Sequence, residues 1–209
     1  DGKHLALNSG ADIHDPSTGR LMVVSSTGGP LQDLVPNWKG HVRDFIWKDP
    51  ERLLFLADEG VSTSVQEIER TGANRRILVQ GGAVAWGAIS QAREDGTLAL
   101  TGDSPQHPSE LHLMAGGQGE MKRLTNSNPW LADMRLARQE VVTYKARDGL
   151  DLQGILIRPL DEQPGQRHPL ILTVHGGPES HYRNAWLTSY SNPGQVAAAR
   201  GFAVFYPNY

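Results

Sequence analysis

Pro169-Leu-Ile-Leu-Thr-Val-His-Gly-Gly-Pro178 decides how this 209-residue chain is read. Leu170 to Val174 is a continuous apolar run, the pattern expected of a strand buried on both faces. It stops at a histidine and two glycines. Downstream, Gln195-Val-Ala-Ala-Ala-Arg200 predicts a short helix closed by Gly201, and Phe202-Ala-Val-Phe-Tyr206 predicts a second buried strand. Upstream, Glu140 to Lys145 and Leu152 to Ile157 flank Arg147-Asp-Gly149, a hairpin signal, and Gln163 to His168 reads as a polar loop. Strand, loop, helix, strand is the opening of an α/β sheet with parallel strands.

Before Asn128-Pro-Trp-Leu-Ala-Asp133 the grammar is different. Asp49-Pro-Glu-Arg-Leu-Leu-Phe-Leu-Ala57 matches Asp95-Gly-Thr-Leu-Ala-Leu-Thr101, and Asp1-Gly-Lys-His-Leu-Ala-Leu7 matches both. A second strand follows in each unit, at Leu21–Val24, Val65–Ile68 and Glu110–Met114. Each then meets a glycine turn (Gly28-Gly29, Gly72, Gly116-Gly117) and a third short segment at Leu31–Val35, Arg76–Val79 and Arg123–Thr125. Leading strands fall at Val42–Trp47 and Val84–Ile89. The period of about 45 residues is that of a four-stranded propeller blade, which buries its two faces only by stacking on neighbours. Two to three blades are expected, so the ring is incomplete within these residues. The fold class is mixed: a partial β-propeller over 1–139, then the start of an α/β domain with parallel strands over 140–209. The rival reading, an antiparallel sandwich with accidental similarity, has to explain three units that agree in strand order and turn chemistry.

Composition narrows the function. Lys and Arg number 20 against 23 Asp and Glu, for a net charge of −3, which excludes a generally basic nucleic-acid binder. There is no cysteine, hence no disulfide, thiolate nucleophile or Cys-ligated metal. No apolar run approaches the roughly 18 residues that cross a bilayer as a helix. The 23 Gly and 13 Pro suit many tight turns and few long helices. No cofactor is expected, and neither nucleic acid nor membrane is an expected partner.

His175-Gly-Gly-Pro178 carries the chemistry. Glycines at the carboxyl end of a strand let backbone N–H groups face a cleft, and in α/β-hydrolases the loop after the third strand supplies one donor of the oxyanion hole. Fixed donors stabilise the charge that grows on a carbonyl oxygen under attack, and losing one costs about 3–4 kcal/mol of transition-state stabilisation. The expected donor is the Gly177 main-chain N–H, with His175 organising the loop and Gly176 and Pro178 shaping it.

Tyr144 to Tyr209 resembles the prolyl oligopeptidase family of serine peptidases, in particular its acylaminoacyl-peptidase branch. The residues that carry the resemblance are Asp148-Gly149, Gly154 with Pro159, Pro169 to Pro178, and Ala199-Arg-Gly-Phe-Ala-Val-Phe-Tyr-Pro-Asn208. The upstream repeats resemble the propeller that precedes the hydrolase domain in that family. Glu179 departs from the family, where an aromatic or apolar residue is common, and leaves the lining of the substrate side open. The resemblance implies a Ser-His-Asp peptidase acting on short peptides through an acyl-enzyme, with a propeller that restricts access. It also implies that the nucleophile, acid and catalytic histidine lie beyond Tyr209, so the chain alone is expected to be inactive. Two alternatives stay open: a non-catalytic propeller scaffold that binds peptides or proteins, and an esterase of the same hydrolase fold.

Other candidates weigh less. Gly102-Asp-Ser-Pro-Gln106 lacks the final glycine of a nucleophile elbow, so Ser104 is read as a loop residue, and Ser189 and Ser191 lie in a polar loop without an activating histidine. His107, His112 and Glu110 could be drawn as a metal cluster but read better as solvated surface. His4, His14, His41 and His168 are scattered singly, and His181 is a candidate for the cleft rim. Arg75-Arg76 and Lys122-Arg123 read as solvated strand ends, and Tyr190, Tyr206 and Tyr209 as packing residues. An unclosed propeller and a half-built sheet predict aggregation or loose packing when the chain is made alone, with the rest of both domains needed for completion. The compartment stays open, with the cytoplasm favoured and the periplasm allowed. Oligomeric state is also open, a homo-oligomer included.

Overall fold

A computed structural model describes residues 2–10, 12–14, 17–177 and 180–209. Asp1, Pro178 and Glu179, which figure in the readings above, lie outside the described residues.

The repeats form three antiparallel meanders. The first holds β1 (His4–Ser9), β2 (Arg20–Ser25) and β3 (Gln32–Asp33). The second runs β4 (His41–Trp47), β5 (Arg52–Glu59), β6 (Ser62–Glu69) and β7 (Arg76–Val79). The third runs β8 (Ala85–Gln91), β9 (Leu98–Ser104), β10 (His107–Met114) and β11 (Lys122–Arg123). The repeat extends to a detail the sequence does not print. Val42 pairs with Ala57 and Trp86 with Gly102, and in both sheets the register slips by one residue just beyond, at Arg43 and Gly87. Asp58 and Asp103 therefore hold equivalent places, one pair past the bulge.

Alternation along β5 explains the stacking. Leu53, Phe55 and Ala57 point into a core shared with Leu21, Val23, Leu34 and Val35 of the first meander. Leu54 and Leu56, on the opposite face, join Trp86, Ile89, Leu98 and Leu100 of the third. With period-two alternation, one strand feeds two cores only when a sheet lies on each side of it.

After a single 3₁₀ turn at Pro129–Asp133 the chain enters a fourth sheet. Its strands are β12 (Gln139–Lys145), β13 (Asp151–Ile157), β14 (Leu170–Leu172) and β15 (Ala203–Pro207), in spatial order β12-β13-β15-β14. β12 and β13 form the expected hairpin, with Gly149 at φ +90 in its turn. β14 and β15 run parallel, joined through α1 (Gly194–Ala198), while β13 and β15 are antiparallel. Gly201 takes φ +85, the left-handed conformation of a helix-ending glycine.

Two expectations fail here. The run at Leu170–Val174 is not buried on both faces: Leu170, Leu172 and Val174 are 59%, 58% and 57% exposed. β14 is an edge strand, and α1, the only α-helix among the described residues, packs against β13 and β15. Its alanines join Ile155, Ile157, Val204 and Tyr206 in the third core. Phe202–Tyr206 is likewise half-buried, alternating between Val204 and Tyr206 inside and partly covered residues between them. No helix of the described residues is long and apolar enough to cross a membrane.

Candidate active site

The His175-Gly-Gly loop leaves the carboxyl end of β14, the third strand of its sheet in chain order. Thr173 N–H donates to the Phe205 carbonyl (2.9 Å), extending the parallel pairing up to the loop. Gly177 sits at φ +65, a conformation that disfavours any side chain, and its carbonyl accepts from Ser180 N–H (2.8 Å). Gly176 needs no such explanation, since a Cβ there would meet open space. Both glycines are exposed.

Aromatic rings hold the loop from behind. The His175 imidazole stacks on Tyr209 (centroids 4.3 Å apart, planes 3° apart) and meets Tyr182 edge-on at 5.5 Å. Tyr209 Oη donates to the His175 carbonyl at 2.7 Å. Tyr182 is itself fixed twice: its N–H donates to Asn208 Oδ1 (2.8 Å), and Asn208 Nδ2 donates back to its carbonyl (3.0 Å). Below them lies Tyr206, fully buried, whose Oη accepts from Gly194 N–H (2.9 Å) and whose phenol is pushed up to about 12 by burial. His175 is thus held through its ring and its carbonyl.

The segment that follows the loop crosses to the repeat sheets. Asn184 N–H donates to the Val61 carbonyl (2.8 Å) and Trp186 N–H to Asp103 Oδ2 (3.0 Å). Arg183 Nη1 donates to the Trp86 carbonyl (2.6 Å) and to Thr63 Oγ1 (3.2 Å). Asp58, almost wholly buried, accepts from Thr63 Oγ1 (2.5 Å), from Arg43 Nε (2.7 Å) and from Arg43 Nη2 (2.6 Å). Burial opposes its ionisation, yet His181, Arg43 and Thr63 hold the carboxyl well below the usual carboxylate range. His181 Nε2 lies 3.4 Å from Asp58 Oδ2, at ion-pair distance but without hydrogen-bond geometry. Burial also lowers the Arg183 guanidinium, with Arg43 adding repulsion.

Several sequence assignments change. Ser104 is not in a loop; it ends β9, buried, its Oγ accepting from Gln106 N–H (3.1 Å). Glu110 and His112 are buried rather than solvated. The Glu110 carboxylate gathers Thr125, Ser127 and Arg123, and the His112 ring stands edge-on to Trp86 at 5.0 Å. Arg75 is no free strand end either, since its guanidinium lies 4.4 Å over the Trp38 ring and donates to Gln66. Arg76 pairs with the buried Glu67 carboxylate. Tyr190 is fully exposed and packs nothing, and Tyr209 is 65% exposed although it clamps His175. Ser189 and Ser191 are exposed. His168 contacts the Gly201 carbonyl through Nδ1, and His41 Nδ1 accepts from Gly19 N–H. His181 faces Asp58 at the junction with the repeat sheets, and it also lines a cavity with Gly60, Gln153, Asn208 and Tyr209. Sequence reasoning missed Asp58, Arg183 and Asn208. The one available signal was an aspartate recurring at the end of the second strand of consecutive repeats.

No family model matches the chain. Among curated proteins, an uncharacterized peptidase of Bacillus subtilis, YuxL, is 30% identical over 165 residues, covering 78% of this chain and 24% of its own length. The chain is homologous to peptidases of the prolyl oligopeptidase family. Dipeptidyl-peptidase 5 of Aspergillus oryzae is 23% identical over the whole chain, which covers 29% of that protein. Acylaminoacyl peptidase of Pyrococcus horikoshii shares the fold, with a TM-score of 0.78 at 19% identity over all of this chain and 31% of its own. Such neighbours of the prolyl oligopeptidase family are propeller-plus-hydrolase peptidases. The chain spans about a quarter to a third of the length of these relatives.

Proposed function

We propose that the chain is part of a serine peptidase that cleaves short peptides through an acyl-enzyme, and that His175, Gly176, Gly177 and Pro178 form its oxyanion loop. The observation that carries the reading is Gly177 at φ +65, in a glycine loop leaving the third strand of a sheet with a parallel pair. In this reading residues 1–139 are the propeller part and 140–209 begin an α/β-hydrolase domain. The Gly177 N–H meets the oxyanion together with a donor that follows the nucleophile. As a serine attacks the peptide carbonyl, a histidine accepts its proton, and the tetrahedral oxygen takes up the negative charge at the loop. Collapse expels the amine, which receives that proton, and water then releases the acyl group.

We assign nucleophile, base and acid to none of these 209 residues. Ser104 is buried and its Oγ is engaged, while Ser189 and Ser191 stand on an exposed turn. The partner is then a peptide substrate, and the remaining parts of both domains complete the enzyme.

The experiment is intact-mass measurement of the source protein before and after a fluorophosphonate, followed by rates on a peptide amide and its matched ester. One added label and amide cleavage are expected, with kcat reduced when Gly177 is replaced by Ala. A protein that gains no label is not this enzyme, and binding by the repeat sheets becomes its role. Ester cleavage without amide cleavage makes it an esterase.

A further inference from the structure

Residues 181–186 belong to no strand or helix, so no ladder sets their position. They are nevertheless tied on two sides. On one side they meet the repeat sheets at Val61, Thr63, Trp86 and Asp103. On the other, Tyr182 is bonded twice to Asn208, and its ring meets His175. The segment is a bridge with a propeller end and a loop end.

At the propeller end the polar groups converge on one carboxylate. Thr63 Oγ1 accepts from Arg183 Nη1 at 3.2 Å and donates to Asp58 Oδ1 at 2.5 Å, so one hydroxyl relays the guanidinium to the acid. Asp58 Oδ2 takes Arg43 and faces His181 at 3.4 Å. A buried ion pair is a weak source of stability, because desolvation of both charges opposes their attraction, but it fixes orientation well. Burying one at a junction whose backbone has no regular structure suits a device that sets position.

We infer that Asp58 is a positioning residue: acting through Thr63 and Arg183, and facing His181, it sets where the His175–Gly177 loop stands relative to the repeat sheets. The inference rests on the reading of that loop as an oxyanion loop. Its physical path is contiguous: Asp58, Thr63 and Arg183, then Tyr182, then His175 directly and by way of Asn208 and Tyr209.

Two variants test it in the intact protein. Asp58→Asn removes the charge, and Thr63→Val removes only the relaying hydroxyl at nearly constant shape, so the second carries the test should the first not fold. Hydrogen exchange across residues 173–186 is expected to quicken in both about tenfold more than it does in β9 and β13, which report any change in global stability. In the whole enzyme, kcat per serine titrated by fluorophosphonate is expected to fall about tenfold with KM within about twofold, since small misplacements of a catalytic group cost rate. A purely structural brace would instead reduce the titratable fraction and leave kcat per titrated serine unchanged, which overturns the inference. Faster exchange confined to 181–186, with 175–177 untouched, also overturns it. Absence of any labelled serine in the unaltered protein sinks the peptidase reading, while the exchange measurement still decides whether Asp58 positions the loop.

Discussion

Leu53-Leu-Phe-Leu-Ala57 and Leu170-Ile-Leu-Thr-Val174 are written in the same alphabet and meet opposite fates. The first is the heart of β5, with every residue from Leu53 to Ala57 at 1% exposure or less. The second exposes three of its five residues by more than half. Burial is therefore conferred by neighbours in space and not by the run itself. β5 lies inside a three-sheet stack and feeds a core on each side. β14 lies at the edge of its sheet, with one five-residue helix nearby that covers other strands.

The comparison sharpens most where the two runs are cut. Phe55→Ala is expected to lower unfolding free energy by about 3–5 kcal/mol, because the surrounding sheets cannot collapse into the cavity. Urea denaturation reads this directly, and a loss below 1 kcal/mol would mean that the stack is not close-packed.

Asp58 comes next. Removing the charge with Asp58→Asn leaves Arg43 without its buried partner, a loss of about 3 kcal/mol. Because its carboxyl is held below the ordinary range, its contribution is complete above the unfolded-chain value of about 3.9 and fades as pH falls towards the depressed folded value. The urea midpoint of the unaltered chain should fall between about pH 5 and pH 2, and the variant should show a shallower limb. Parallel limbs would remove Asp58 from the acid response.

A smaller effect probes the core of the terminal sheet. Tyr206→Phe deletes the hydroxyl that accepts from Gly194 N–H and leaves that buried donor alone, at a cost of about 1–3 kcal/mol. The variant should also lose α1 first, seen as faster exchange at Ala197 and Ala198.

These contrasts show what sequence could and could not carry. Strand order within each repeat, the Arg147–Gly149 hairpin and the helix ending near Gly201 follow from local rules, and they stand where expected. Gly177 stands at φ +65 in the loop after β14, a backbone angle that local rules reserve for glycine. What failed depended on third parties. Whether Leu172 is covered, whether Glu110 is solvated, and whether Arg75 is free are settled by Trp38, Thr125 and the extent of a helix far along the chain. Asp58 recurs as Asp103 in the next repeat, but no spacing rule joins it to its partners, which are scattered from Arg43 to His181.

The smallest stability effect is the most telling for the edge strand. Leu172→Ser removes apolar surface that is already mostly in water, so unfolding free energy should change by less than about 0.5 kcal/mol. Its effect belongs to association. Leu170, Leu172 and Val174 present an apolar row beside the edge of β14 that no strand of the described residues pairs, a template on which another strand can add. The serine should therefore reduce aggregation of the isolated chain in light scattering while its urea midpoint stays put. A parallel fall in both would mean that Leu172 packs in the folded chain, and that the two apolar runs differ less than their exposures state.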